Sequence, residues 1–248
     1  MGKESGLGDN FYSGGYDLSG DTNSLSNISC PKTVDEVPGI DVYAQERIEL
    51  TRDGQIEWVS YFNPAASRAH PVLSALPTSD VVVSYFRGTT LGNPVACLVG
   101  KQINYDGNRP TSGALRMQVQ ALANGYGLEW GRSLTAGKRT DSAATNGASI
   151  DTTASASFGG QAYLQVFAFT GTDVTIKIQD SADDSTFADV ASLAFTQVTA
   201  APTTQRIAIS NTATIRRYVR AVTVTTGGFS SVTFAVMINK NQIAGTVF

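Results

Sequence analysis

Residues 231–238 read "SVTFAVMI", in which Val232, Phe234, Val236 and Ile238 alternate with Ser231, Thr233, Ala235 and Met237. A period of two places each set on its own face of an extended strand, so one face is built wholly of large apolar side chains. The same alternation recurs in "DVTIKIQ" (173–179), where Val174, Ile176 and Ile178 oppose Thr175, Lys177 and Gln179. It recurs again in "ALRMQVQALA" (114–123), where Leu115, Met117, Val119 and Ala121 oppose Arg116, Gln118, Gln120 and Leu122. Short alternating runs separated by turn residues predict antiparallel sheet with one face buried. With "QAYLQVFAF", "TQRIAIS" and "IRRYVRAVTV", residues 159–248 are expected to form an antiparallel β-sandwich.

Upstream, "QERIEL" and "QIEWVSYF" flank Asp53-Gly54 and read as a hairpin, because Asp-Gly favours tight turns between strands. "NPAASRAHPVLSAL" is the helix candidate, kept short by Pro64 and Pro71. "DVVVSYFRG" and "PVACLVGKQINY" add further strands, and residues 41–145 are read as one β domain with a short helix. The small, polar text between 133 and 160 reads as a linker, placed at 146–158 with the boundary near 150. Residues 1–40 have no lasting periodicity and read as an extended arm. Phe11, Tyr12, Tyr16 and Leu18 within it imply an arm that orders against something.

The chain has 248 residues, 42% hydrophobic and only 16% charged, enough to bury a substantial core. Residues 1–57 hold 11 acids and 4 bases, residues 58–150 hold 4 acids and 8 bases, and the remainder holds 6 of each. Such segregation fits a surface that meets copies of itself, and equally a solvated face. No basic stripe with interleaved aromatics is present, which disfavours tight nucleic-acid binding. No apolar run approaches the ~20 residues of a membrane helix, and the first residues lack the apolar core of a secretion signal, so synthesis in a cytoplasm is expected.

Catalytic signatures are missing: there is no P-loop, HExxH or GxSxG, and His70 is the single histidine available to a triad. His70, flanked by Pro71, reads as a turn or helix-entry residue. Asp35 and Glu36 could serve acid–base work but match an ordinary surface pair equally well. Cys30 and Cys97 read as free or buried thiols. Trp58 and Trp130 are read as core aromatics. No cofactor is expected.

Two clusters leave alternatives open. "QDSADDSTFADV" (179–190) lacks the glycine, closing glutamate and alternate spacing of an EF-hand loop, and Asp and Ser favour turns. It reads as a hairpin tip, with a cation held by Asp180, Asp183 and Asp184 as the alternative. In "IRRYVR" (215–220), Arg216, Tyr218 and Arg220 would share a strand face that could hold a sugar, a phosphate or a neighbouring chain, or simply face water.

The stretches "RDGQIEWVSYFNP", "HPVLSALPTSDVVVSYFRGTTLG" and "KQINYDGNRPTSGALRMQVQALANGYGLEWGRSLTAGKRTD" resemble the major tail, or tail tube, proteins of long-tailed bacteriophages, especially those of actinobacteria. "VTIKIQDSADDSTFADV", "TTQRIA" and "RRYVRAVTV" resemble an accessory β-sandwich domain of phage tail proteins. The resemblance implies a structural virion protein and not an enzyme, with hexameric rings stacked into a tube that conducts DNA without binding it specifically. It also implies contacts with tape measure and tail-end proteins. Glu46, Glu49, Glu57, Arg116, Gln118 and Gln120 are then candidates for the lumen wall, with Arg116 departing from an anionic wall. Phe11, Tyr12, Tyr16 and Leu18 would lie across a neighbouring subunit, and the C-terminal sandwich would sit outside. A decoration or baseplate component and a calcium-dependent carbohydrate-binding module are the alternatives.

Overall fold

The structure, a computed structural model, describes residues 5–244. It is mainly β, as the alternation requires. The first half holds β1 (Asn10–Ser13), β2 (Tyr16–Asp17), β3 (Thr22–Ser29), β4 (Lys32–Glu36), β5 (Arg47–Arg52), β6 (Gln55–Tyr61), α1 (Ala69–Leu73), β7 (Val81–Phe86), β8 (Pro94–Gln102), β9 (Asp106–Asn108), β10 (Arg116–Ala123), β11 (Glu129–Ser133) and β12 (Arg139–Asp141). The second holds β13 (Ile150–Asp151), β14 (Gly160–Gly171), β15 (Thr175–Ser181), β16 (Ala188–Ala194), β17 (Thr203–Ala208), β18 (Tyr218–Val224) and β19 (Phe229–Lys240).

One 13-stranded sheet runs β17-β14-β19-β11-β8-β10-β6-β3, with β1, β2, β7, β9 and β12 attached beside it. A second sheet, β13-β18-β15-β16, stacks on its C-terminal part, and β4 pairs β5 separately. Residues 231–238 fall in β19, near the centre of the large sheet. Val232, Phe234, Val236 and Ile238 enter the core shared with Ile176, Ile178, Val219 and Ala221 of the second sheet. Ala235 and Met237 point the other way and are also buried, against Tyr12, Phe86, Val95 and Cys97. Two sheets therefore share this core, and the larger one does not stop at the expected boundary.

The strands of 41–145 and 159–248 are joined by main-chain pairing: Arg132 opposes Ile238 and Ser133 opposes Met237. Buried Gln165 of β14 extends the joint, accepting from Gly15 N (2.8 Å) and donating to Val82 O (2.9 Å) and Ser84 Oγ (3.0 Å). The 146–158 segment is bound along its length. Gly147 N donates to Ala221 O (2.9 Å), β13 pairs β18, and Ala156 bridges Ile215. Small polar residues there serve close main-chain approach.

Three further expectations change. The arm candidates pack within their own chain: Phe11 lies 4.8 Å from the Trp58 ring centroid, Tyr12 5.1 Å from Phe86, and Leu18 is fully buried, while Tyr16 packs half-buried on the same core. The order those aromatics needed comes from β1 pairing with β7. Asp53-Gly54 makes no hairpin, because β5 pairs β4 while β6 pairs β3 and β10. Glycine is needed there for a different reason: a Cβ on Gly54 would sit 2.5 Å from Leu128 N. The helix shrinks to the five residues of α1, and its first orphan amide, Ala69 N, is satisfied by buried Asp21 (3.1 Å) rather than by a neighbouring cap.

Candidate assembly surface

β3–β4 and β5–β6 together form one long two-stranded ribbon. Its base lies in the large sheet, where Ser29 opposes Gln55, and its outer half continues as Lys32 opposite Arg52 and Glu36 opposite Arg47. The Asp53 amide donates to Pro31 O (2.9 Å) at the junction. Beyond it every residue of β4 and β5 is exposed.

Strand alternation places Ile48 and Leu50 on one face, with Val37 across from Glu46. Ile48 and Leu50 are 48% and 52% exposed, and the tip adds Ile40 and Tyr43, which pack on nothing. Lys32–Glu49 and Arg47–Glu36 ion pairs hold the strands in register but are open to water. A two-stranded ribbon without a covering layer is marginal in water, and its strand edges and apolar row are unpaired. Such a surface calls for a partner.

The lumen candidates divide between two places. Glu57, Arg116, Gln118 and Gln120 share the outer face of β6 and β10, where Gln120 Nε2 donates to Glu57 Oε1 (2.9 Å) and the Arg116 guanidinium stands 6.0 Å from the Tyr61 ring. Glu46 and Glu49 belong to the ribbon instead. Sequence spacing found the polar face. It missed the exposed apolar residues between 34 and 50, whose signal was apolar side chains in a span with no third strand to cover them.

The aspartate cluster is dispersed. Asp180 takes the Arg216 amide (2.7 Å) and guanidinium (2.6 Å). Asp183 accepts from Thr186 N (2.8 Å), Ser185 N (3.0 Å) and Ser181 Oγ (2.7 Å), bonds that hold its carboxyl below the usual range. Asp184 accepts from Ser149 Oγ (2.5 Å). These carboxylates organise a hairpin tip, and among the described residues no three His, Cys, Asp or Glu side chains are grouped to hold a metal.

"IRRYVR" forms no shared ladder either. Arg216 is turned to Asp180, Arg217 to Asp151, and Arg220 lies 4.0 Å over the Phe187 ring. His70 enters α1 and stacks 4.4 Å from Phe62, with Nδ1 3.2 Å from the Tyr105 hydroxyl. Both cysteines are free, Cys97 being buried. Trp58 is core, but Trp130 is 49% exposed on β11, contrary to the expectation of core packing, because its strand turns that position outward while Glu129 points in.

No protein-family model matches the sequence, and no curated protein matches it. Several solved structures share similarity along most of the chain. The SPP1 Dit (gp 19.1) protein, described as a paradigm of the hub adsorption apparatus in phages infecting Gram-positive bacteria, is 10% identical with a TM-score of 0.33, over 93% of this chain and 99% of that one. A chain of the phage p2 baseplate in its activated conformation with Sr is 8% identical with a TM-score of 0.36, over 95% and 99%. The same baseplate with Ca gives 9% identity and a TM-score of 0.32, over 95% and 99%.

Proposed function

We propose that this chain is a structural subunit of a bacteriophage tail that assembles with copies of itself into rings, joined through the ribbon of residues 31–53. The ribbon carries the reading: seven large apolar side chains, Val34, Val37, Ile40, Val42, Tyr43, Ile48 and Leu50, stand in solvent on an element too thin to bury them. Laid across the next copy, the Val37, Ile48 and Leu50 face and the tip residues would lose their water contact, with Val34 on the opposite face across from Glu49, and the strand edges would gain pairing partners. The resemblance of the sequence to tail proteins supports the same role. The Glu57–Gln120 face would line the conduit, where a polar surface of little net charge lets DNA pass without being held through its phosphates. Rings of this kind would meet other tail proteins in the virion, and the role requires no catalysis.

A stacked tube and a single ring at the tail end, as in a baseplate, differ in what links one ring to the next. The single-ring reading gains from one observation: Phe11, Tyr12 and Leu18 are consumed by their own chain's core and are not available to strap adjacent rings.

Replacing residues 32–52 by a short Asn-Gly turn tests the assembly, since every strand residue removed is exposed. Light scattering and negative-stain electron microscopy of the full chain should show rings, and the shortened chain should remain a folded monomer. Rings that survive the deletion, or a full-length chain that stays monomeric at high concentration with tail partners added, would overturn the proposal. Rings that stack into tubes favour the tube, and isolated rings the baseplate-type component.

A further inference from the structure

Trp130 stands at the rim of a cavity of about 410 Å³, between the end of β19 and the 152–156 loop. Its indole is half exposed although it sits on a strand of the main sheet, paired with Ala96. The walls are mixed: Arg132, Thr152, Ser155, Asn239 and Gln242 supply polar groups between Ala154, Ala156 and Ile238. Thr153, on the same lip, holds φ at 70°, a conformation rare for a β-branched residue, fixed by its amide donating to Asp151 Oδ1 (2.7 Å). The loop is braced from beneath by Lys240, whose ammonium donates to Thr152 Oγ1 (2.7 Å), Ala154 O (2.7 Å) and Arg216 O (3.0 Å).

These contacts narrow the ligand chemistry. An anion is disfavoured, because Lys240 spends its three donors inside the protein and Arg132 turns Nη1 to Gly92 O (3.4 Å). A wholly apolar ligand is disfavoured by the hydroxyl and amide groups that interrupt the Ala154, Ala156 and Ile238 lining. What remains is a neutral molecule with a flat C–H face and a rim of hydroxyls. Asn239 and Gln242 suit such a rim: each gives its NH₂ to the protein, Asn239 to Gln161 Oε1 (3.2 Å) and Gln242 to Lys240 O (2.9 Å), which leaves the amide oxygens to accept. A flat aromatic surface beside a few oriented polar groups is the general form of a small-ligand site.

We propose that this cavity binds the ring of a neutral saccharide, stacked on Trp130 and hydrogen-bonded by Arg132, Asn239 and Gln242. None of the residues lining the cavity belongs to the ribbon or to the 181–186 turn, and the proposed contacts are made without calcium.

The chain has two tryptophans, so two indole N–H signals appear in an NMR spectrum, and Trp130→Phe identifies the exposed one. Titration of the whole chain with glucose, galactose, rhamnose, N-acetylglucosamine and their disaccharides should shift that signal saturably while the Trp58 signal stays. Trp130→Ala should weaken binding by about tenfold or more, as loss of an aromatic platform does, and excess chelator should change nothing. The Trp130→Phe chain, which keeps a ring, should retain part of the affinity. The proposal is overturned if no saccharide of the panel moves the signal, if binding survives Trp130→Ala, or if a chelator abolishes it. It is also overturned if raising the protein concentration alone protects Trp130, which would make this face an interface between copies.

Discussion

Arg206 of the edge strand β17 is joined across β14 and β19 to Glu129 of β11, donating to its Oε1 at 2.9 Å, with the two side chains 7% and 1% exposed. The guanidinium also donates to the Tyr163 hydroxyl (3.0 Å) and lies 3.8 Å from the Tyr126 ring centroid. Burial pushes the Glu129 carboxyl up, and the Arg206 charge draws it back. The pair spans the two halves of the chain.

Removing one partner leaves the other charge buried. Arg206→Met is expected to destabilise the chain by about 3–5 kcal/mol, and adding Glu129→Gln should recover most of that loss. Urea denaturation of the two single variants and the double variant measures both. Equal losses in the single and double variants would show that packing of the Arg206 stem, and not charge, dominates.

Gly131 tests the joint itself. A Cβ there would meet Ile238 O at 2.2 Å and Met237 Sδ at 2.9 Å, in the main-chain seam between β11 and β19. Gly131→Ala is therefore expected to lower stability by about 1–3 kcal/mol, as overpacking does. Because the seam and the Tyr12, Tyr163 and Met237 cluster unite the halves, the wild-type chain should unfold in one transition by calorimetry. Two resolved transitions would mean that the halves fold as separate units.

The parts of this fold legible in the sequence are those whose evidence is local. Alternation at 114–123, 173–179 and 231–238 announced strands, because a period of two depends only on near neighbours, but in 231–238 the second face, Ala235 and Met237, is buried as well. Features set by remote partners were not legible. Asp53-Gly54 looks like a turn, yet its glycine answers to Leu128; the 179–190 segment was legible as a hairpin tip, but not that Asp180 within it answers to Arg216. Trp130 looked like core for the same reason: which side of β11 is covered depends on a strand a hundred residues away. Of the candidate surface, Arg116, Gln118 and Gln120 were read onto one face; Glu57 joins it through its pairing with Gln120, whereas Glu46 and Glu49 are carried off by the ribbon.

Asp183 organises the 181–186 turn by accepting from two amides and two hydroxyls. Its folded-state pKa is depressed, chiefly by the Thr186 amide, so its contribution to stability is present above the ordinary carboxylate pKa and lost as pH falls through the folded value. Asp183→Asn should lower the melting temperature at pH 7, and the gap from wild type should shrink in acid. Calcium should raise the melting temperature of neither chain. A calcium-dependent rise in the wild type alone would restore the metal-site reading of this loop.

Lys240 lies almost buried under the 152–156 loop, and desolvation pushes its ammonium down to about 8 from an ordinary 10.5, against the pull of Asp180 and Asp151. Between those two values the unfolded chain keeps a proton that the folded chain has shed, so stability rises with pH across that window. Below it both states are protonated and the effect is flat. Lys240→Met removes the titration, so the stability of wild type relative to this variant should climb as pH goes from 8 toward 10.5. Denaturant midpoints taken at several pH values for both chains give the difference directly. A difference that stays flat would mean that the three hydrogen bonds to Thr152, Ala154 and Arg216 hold the ammonium charged despite its burial.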